Sequence, residues 1–231
     1  MTEGLCQPLK TPIHKPTVHK RELQVLSSDV QKSFEKILIE DGSEVSLGII
    51  IALHTGMRIG EICALMWEDV DFENDVIHIR HTVARVKSTN KFSKTKLIID
   101  SPKTISSKRD IPISSVLKPI LFSASKHKKS NYVVPSNNSF MGTRTFDYRY
   151  RQLLKSNNIS IFNFHTIRHM FATRCIDVGV DVKTLSEILG HSNVSTTLNT
   201  YVHPSMEIKK SQIEKLYTCL LYTSPSPRDC S

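Results

Sequence analysis

The stretch HTIRHMFATRCIDVGVDVKTLSEILGHSNVSTTLNTYVHP, residues 165–204, holds the clearest succession of helix starts and stops in the chain. With the residues that follow, it predicts four helices, at about 166–178, 181–189, 193–200 and 205–217. Gly190 suits the left-handed position that ends a helix, and Ser192 can cap the helix that follows. We therefore expect His191 in a tight corner between two helices, where its ring has little freedom.

Upstream of this stretch, the apolar pattern predicts more helices and one small sheet. Helical spacing covers five segments, at about 28–41, 45–53, 59–66, 114–124 and 143–156. Short β-type runs around Ile77, Ile98 and Ile111 are separated by polar, lysine-rich stretches, which favours a small antiparallel sheet. The sequence thus predicts a mainly α domain with a small antiparallel β-sheet, an α+β fold, over residues 22–217.

The two ends of the chain differ in composition from this domain. Residues 1–21 carry Pro8, Pro12 and Pro16 among basic side chains, which predicts an extended basic linker. Pro225 and Pro227 prevent a helix from continuing, and we interpret residues 218–231 as a non-native or disordered tail.

The composition narrows the class of protein. The 231 residues include 31 Lys and Arg against 22 Asp and Glu, a formal net charge of +9, which favours a polyanionic partner but also fits a merely basic protein. Five scattered cysteines without C-x-x-C spacing argue against a disulfide framework or zinc ribbon, and favour a reducing cytoplasm. The longest apolar run, residues 47–53, is far shorter than the roughly 18 residues of a membrane span, so we expect no membrane segment.

Four polar residues in the C-terminal half predict an anion site. Arg168 falls in the first turn of a predicted helix, where free backbone N–H groups and a guanidinium both suit phosphate oxygens. His165 precedes it by three residues and can lie on the same side. Tyr201 follows His191 by ten residues, about 15 Å along a straight helix. To serve one phosphate, the chain must therefore turn near Tyr201, or the phosphate must lie between the two side chains.

Two further patterns leave alternatives open. His165 and His169 have the i,i+4 spacing of metal ligands, but Thr166 replaces the Glu of H-E-x-x-H, so we expect no metal and interpret His169 as buried support behind Arg168. The predicted helix at 143–156 is either a DNA-backbone face or an amphipathic surface helix. The candidate DNA-backbone face would consist of Arg144, Tyr148, Arg149, Tyr150 and Arg151.

Taken in order, several motifs resemble those of the tyrosine recombinase (phage integrase) family. Thr55-Gly56-Met57-Arg58-Ile59-Gly60-Glu61 is similar to the motif of its first arginine. Pro102-Lys103-Thr104, followed by residues 107–113, is similar to the β-hairpin that carries its catalytic lysine. His165-x-x-Arg168, then Leu189-Gly190-His191, then Tyr201-Val202-His203, resemble its C-terminal signature.

The resemblance implies a DNA breaking-rejoining catalytic domain with six candidate catalytic residues: Arg58, Lys103, His165, Arg168, His191 and Tyr201. The Tyr201 hydroxyl would attack a scissile DNA phosphate and form a 3′-phosphotyrosine. Arg58 and Arg168 would clamp the non-bridging oxygens, and His191 would donate a further hydrogen bond. Glu61 would orient Arg58 through an i,i+3 contact.

In the same scheme, Lys103 would be the general acid to the leaving 5′-oxygen, and His165 the base or proton shuttle. No cofactor or metal is implied, because arginines supply the positive charge. The implied partners are double-stranded DNA and three further copies of the chain, as a homo-tetramer on paired sites. Residues 1–21 would be the linker left from a missing N-terminal core-binding domain.

The implied function is site-specific recombination for the integration or excision of a phage or mobile element. Two alternatives remain open at this point. One is a relaxing topoisomerase or chromosome-dimer resolvase with the same chemistry. The other is a DNA-binding protein without chemistry that uses its C-terminal helices for binding.

Overall fold

A computed structural model describes residues 28–88, 95–100, 108–137 and 139–201, together with residues 206, 210, 213 and 214. Lys103, the predicted linker at 1–21 and the predicted tail at 218–231 lie outside the described residues. The predicted helix at 205–217 lies almost entirely outside them as well.

The described residues form a mainly helical fold, as the apolar spacing predicts. The helices are α1 (Ser28–Asp41), α2 (Glu44–Thr55), α3 (Ile59–Ala64), α4 (Leu117–Lys126), α5 (Thr143–Ser156), α6 (His165–Asp177), α7 (Val182–Leu189) and α8 (Val194–Tyr201). Side-chain caps mark where two of these helices begin. Ser43 accepts a hydrogen bond from the Ser46 amide at the start of α2, and Asp181 accepts one from the Thr184 amide at the start of α7.

The β structure is more divided than the single small sheet that we predicted. The strands are β1 (Val70–Asp71), β2 (Val76–Ile79), β3 (Thr82–Lys87), β4 (Thr95–Asp100), β5 (Arg109–Pro112), β6 (Pro135–Ser136) and β7 (Ser139–Phe140). One antiparallel sheet has the order β1-β2-β5, while β3 pairs with β4 and β6 pairs with β7. Strand β2 lies between β1 and β5, and β3 and β4 pair with each other along all six residues.

Helix α2 lies at the centre of the core and packs against α1, α3, α4, α5 and α6. It is buried on all sides over Ile49–Leu53, which is why its sequence shows a continuous apolar run rather than an amphipathic stripe. Gly48 permits close contact with α5, since a Cβ there would lie 2.8 Å from a ring carbon of Phe146.

The inward face of α5 corrects one expectation. Tyr150 is fully buried and packs edge-to-face on Phe162 and Phe164, so it does not belong to a nucleic-acid face. The reason is helical spacing, because Tyr150 follows the buried Phe146 by four residues and shares its side of the helix. Tyr148, Arg144, Arg149 and Arg151 remain exposed.

A smaller apolar cluster joins the last three described helices. Ala172 of α6 and Leu185 and Leu189 of α7 are buried together, and Phe171 and Tyr201 pack against them. Helix α7 also contacts β5. The ends of α2, α7 and α8 are thereby brought to one region. Within the described residues, no helix has both the length and the apolar character needed to cross a membrane.

Candidate active site

The junction between α2 and α3 presents the first arginine. Gly56 ends α2 in the left-handed conformation, with φ of 65°, and Arg58 is the N-cap residue of α3. A Cβ at Gly56 would lie 2.6 Å from Phe171 and 2.8 Å from Leu189, so the turn needs glycine for its space as well as its φ. The chain can therefore reverse within two residues and leave the Arg58 side chain partly exposed, at 37%.

Glu61 holds Arg58, as the i,i+3 spacing predicts. Its carboxylate accepts a hydrogen bond from the Arg58 amide at 2.9 Å and another from Arg58 Nη1 at 2.9 Å. The same carboxylate accepts two bonds from Arg109 of β5, at 3.0 and 2.9 Å. Burial alone would raise the pKa of Glu61, but the hydrogen bonds and charges of Arg109 and Arg58 hold that pKa below its ordinary value. Glu61 is thus an ionised, buried anchor.

Arg168 of α6 is buried, with 2% of its surface exposed. Its Nη1 donates to the Gly56 carbonyl at 2.7 Å, and its Nη2 donates to the Leu189 carbonyl at 2.6 Å. Burial, followed by the charge of Arg58, lowers the pKa of Arg168 to about 9, which still leaves it charged at neutral pH. The guanidinium therefore joins the C-terminal end of α2 to that of α7.

His191 follows the left-handed Gly190, whose φ of 65° ends α7 as predicted. Its Nδ1 lies 2.8 Å from the hydroxyl of the buried Thr197, a contact that holds the ring. Burial, followed by the positive charges of Arg168 and Arg58, lowers the pKa of His191 to about 4. The ring is therefore neutral at physiological pH.

The capping prediction at Ser192 is wrong. The side chain of Asn193 accepts the hydrogen bond from the Ser195 amide at 2.8 Å, one residue later than expected. The extra residue lengthens the corner between α7 and α8 before the helix begins at Val194.

Tyr201 is the last residue of α8, and this helix folds back on α6. The Tyr201 ring lies 5.4 Å from the His169 ring, which lies 4.6 Å from the His165 ring. His169 therefore contacts the rings of both His165 and Tyr201; it is half-buried, and the charge of Arg168 also acts on it. Burial raises the pKa of Tyr201, while the charges of Arg168 and Arg58 act in the opposite direction. The phenol is thus within electrostatic reach of both arginines, because the chain turns between α7 and α8.

Burial is also the main cause that lowers the pKa of His165, with Arg168 and Arg58 contributing. The structure therefore brings together five of the six predicted residues: Arg58, His165, Arg168, His191 and Tyr201. The sixth, Lys103, lies outside the described residues; the described chain resumes at Lys108, next to Arg109. In the described part of the chain, no group of three or more His, Cys, Asp or Glu side chains could hold a metal ion.

Sequence reasoning missed two polar residues of this site. Arg109 contacts Glu61 and the Ile188 carbonyl, and Thr197 contacts His191. No local pattern indicates either contact, because Arg109 and Glu61 are 48 residues apart in the chain. The only signal for Arg109 was its place in the motif around residues 107–113.

Comparisons with known proteins agree with these motifs. The profile of the phage integrase family matches residues 24–207. A XerC-like tyrosine recombinase from Caldanaerobacter subterraneus subsp. tengcongensis is 30% identical over 213 residues, which cover 84% of this chain and 54% of that protein. The transposase of transposon Tn916 from Enterococcus faecalis is 28% identical over 185 residues, 73% of this chain and 44% of that protein. The chain thus spans about half the length of the curated relatives it matches.

Solved structures share the fold. A variant of the Tn1549 transposon integrase, in complex with transposon right end DNA, matches with a TM-score of 0.73 at 28% identity, over 86% of this chain and 68% of that chain. The XerA recombinase matches with a TM-score of 0.62 at 25% identity, over 83% of this chain and 65% of that chain. The predicted fold class is confirmed, and this chain belongs to the phage integrase family of tyrosine recombinases.

Proposed function

We propose that this chain breaks and rejoins DNA at specific sites through a covalent 3′-phosphotyrosine, in the integration or excision of a phage or mobile element. The observation that carries the proposal is the convergence of Arg58, Arg168 and His191 on one helix end, with Tyr201 within electrostatic reach of the two arginines. Two guanidinium groups and a nearby phenol are what a phosphoryl transfer without a metal requires.

The proposed reaction begins at Tyr201. Its oxygen bonds to phosphorus while the bond from phosphorus to the 5′-oxygen breaks, so the phosphodiester is conserved as an ester of tyrosine. Because the raised pKa of Tyr201 keeps the phenol protonated at neutral pH, attack needs a proton acceptor. His165 suits that role, since burial and the arginines lower its pKa and favour the neutral ring.

Negative charge that develops on the phosphate is stabilised by three groups. Arg58 and Arg168 neutralise the non-bridging oxygens. When the Thr197 hydroxyl donates to Nδ1, the neutral His191 carries its proton on Nε2 and can donate it in a hydrogen bond to the phosphate. We assign Lys103 as the general acid that protonates the leaving 5′-oxygen, on the basis of its place in the family motif.

The proposed partner is duplex DNA, held by phosphate contacts. The net charge of +9 and the exposed Arg144, Arg149 and Arg151 on α5 favour such contacts. Exchange between two duplexes requires four strand cleavages, and one tyrosine makes one covalent bond. We therefore propose a homo-tetramer on paired sites, which acts in the cytoplasm.

A covalent trapping experiment tests the proposal. A pool of nicked duplexes with randomised core sequence is incubated with the chain, and DNA that stays attached after denaturation with detergent is recovered. We expect recovery with the wild type and with Tyr132→Phe, the control, because the Tyr132 ring packs on Phe140 and belongs neither to the site nor to α5. Tyr201→Phe should recover no DNA, because the attacking oxygen is absent.

Each outcome has a defined meaning. Persistent covalent product from Tyr201→Phe would show that the nucleophile is assigned wrongly. Binding without covalent product in the wild type would favour the non-catalytic DNA-binding alternative. Relaxation of a supercoiled plasmid without any sequence preference would favour the topoisomerase alternative over the recombinase.

A further inference from the structure

The C-terminal end of α7 binds three arginines through three consecutive carbonyl groups. The Ile188 carbonyl accepts from Arg109 Nε, the Leu189 carbonyl accepts from Arg168 Nη2, and the Gly190 carbonyl accepts from Arg58 Nη2. The three arginines come from β5, α6 and the start of α3. One helix end therefore sets the relative positions of three guanidinium groups.

Elementary electrostatics explains this arrangement. The last carbonyls of a helix have no partner within the helix, and the helix dipole places partial negative charge there. Guanidinium groups satisfy these carbonyls and are stabilised by the dipole. Arginines that would repel one another in isolation can thereby be held close together, as a clamp for an anion requires.

Arg109 differs from the other two arginines in its surroundings. Only 6% of its side chain is exposed, and its two Nη atoms bind both oxygens of the buried Glu61 carboxylate. Glu61 in turn holds the amide and the Nη1 of Arg58. A continuous path of hydrogen bonds thus runs from the Ile188 carbonyl, through Arg109 and Glu61, to Arg58.

We infer that Arg109 is a positioning residue, which holds Arg58 and the end of α7 in the geometry that clamps the scissile phosphate, without contacting DNA itself. The inference rests on the proposed function for its role in catalysis. A lysine at this position would preserve the charge, but its single ammonium cannot reproduce a planar fork that spans a carboxylate and a carbonyl. The charge and the geometry of Arg109 can therefore be separated by experiment.

The first test measures the position of Arg58 without DNA. In the wild type, Arg58 Nη1 and Nη2 bind different partners, Glu61 and Gly190, so NMR should detect slow rotation of its guanidinium group. Arg109→Lys should release that rotation. The control is Arg80→Lys, because Arg80 also pairs with a buried carboxylate, Asp69 at 3.4 Å, but is 53% exposed. If the Arg58 guanidinium group rotated as slowly in Arg109→Lys as in the wild type, the inference would be overturned.

The second test measures covalent product on two substrates, one with a natural scissile phosphodiester and one with a neutral methylphosphonate. A misplaced clamp should slow reaction of the natural diester by about 100-fold, as small errors of position commonly do. On the methylphosphonate, which has less charge to clamp, the ratio of the wild-type rate to the Arg109→Lys rate should be at least tenfold smaller than on the natural diester. Arg80→Lys should match the wild type on both substrates.

A merely structural role for Arg109 predicts a different result. Loss of folded protein would reduce the rates on both substrates by the same factor, and that result would overturn the inference. Adding Arg109→Lys to Arg58→Ala should cause a smaller further loss than Arg109→Lys causes in the wild type, since Arg109 acts in part through Arg58. If the wild type formed no covalent product on either substrate, the proposed function would fail. The NMR test would still show whether Arg109 holds Arg58 in position.

Discussion

The ring of His191 is held by a hydroxyl group that no motif includes. Thr197 is fully buried, and its oxygen is 2.8 Å from His191 Nδ1. This contact determines which ring nitrogen remains available to another partner. In the proposed mechanism, the hydroxyl donates to Nδ1 and thereby keeps the proton of the neutral ring on Nε2.

Thr197→Val tests this contact, because valine preserves the shape of threonine and removes the hydroxyl. We expect about a 3- to 10-fold slower formation of covalent product, which corresponds to the loss of one hydrogen bond of about 1 kcal/mol. The adjacent Thr196 is exposed, so Thr196→Val is the matched control and should react at the wild-type rate. Equal rates for the two variants would contradict the role of Thr197.

At the scale of elements, helix ends rather than helix faces build the candidate site. Arg168 joins the carbonyl of Gly56, which ends α2, to that of Leu189 at the end of α7. Gly56 and Gly190 both have φ of 65°, so both helices end in tight left-handed turns. The packing of Gly56 against Phe171 and Leu189 connects these two ends through apolar contact as well.

Gly56→Ala should therefore disturb both stability and the site. Alanine in a left-handed conformation costs about 1–2 kcal/mol, and crowding in a packed core typically adds about 1–3 kcal/mol. Gly42→Ala is the matched control, since Gly42 has a similar φ of 61° but its added Cβ would meet nothing closer than 3.9 Å. Denaturant unfolding should give a larger loss for Gly56→Ala than for Gly42→Ala. Equal losses would show that the contacts with Phe171 and Leu189 do not matter.

At the scale of the whole molecule, half-buried histidines make stability depend on pH. Burial, followed by neighbouring positive groups, lowers the pKa values of His169 and His191 to about 4 each. In the unfolded chain, histidine titrates near about 6.5. Between these values the unfolded chain binds protons that the folded chain does not, so the free energy of unfolding falls as pH falls from 6.5 towards 4. The lowered pKa of Glu61 acts in the same direction at the acidic end.

Chemical denaturation at pH values from 7 to 4.5 measures this dependence. We expect a steady loss of stability across that range for the wild type. Replacing both His169 and His191 by Gln should flatten the dependence, whereas His127→Gln, at an exposed position of the chain, should not. A slope unchanged by the double replacement would contradict the assignment of the effect to these two rings.

Much of the fold and part of the site follow from local signals. The apolar run at residues 49–53 and the stop at Gly56 predict α2, and α5 occurs at the predicted residues 143–156. Spacing alone also predicts the contact of Glu61 with Arg58. These features are readable because helical periodicity, glycine at left-handed turns and i,i+3 contacts depend only on residues close in the chain.

Tertiary structure alone decided how the separate motifs meet. Arg109 reaches Ile188 across 79 residues of chain, and Arg58 reaches Gly190 across 132. The division of the strands into separate sheets was likewise outside the reach of local pattern. The physical reason is that helix-end carbonyls and buried carboxylates need hydrogen-bond partners. Only the packing of the whole chain determines which distant side chain becomes that partner.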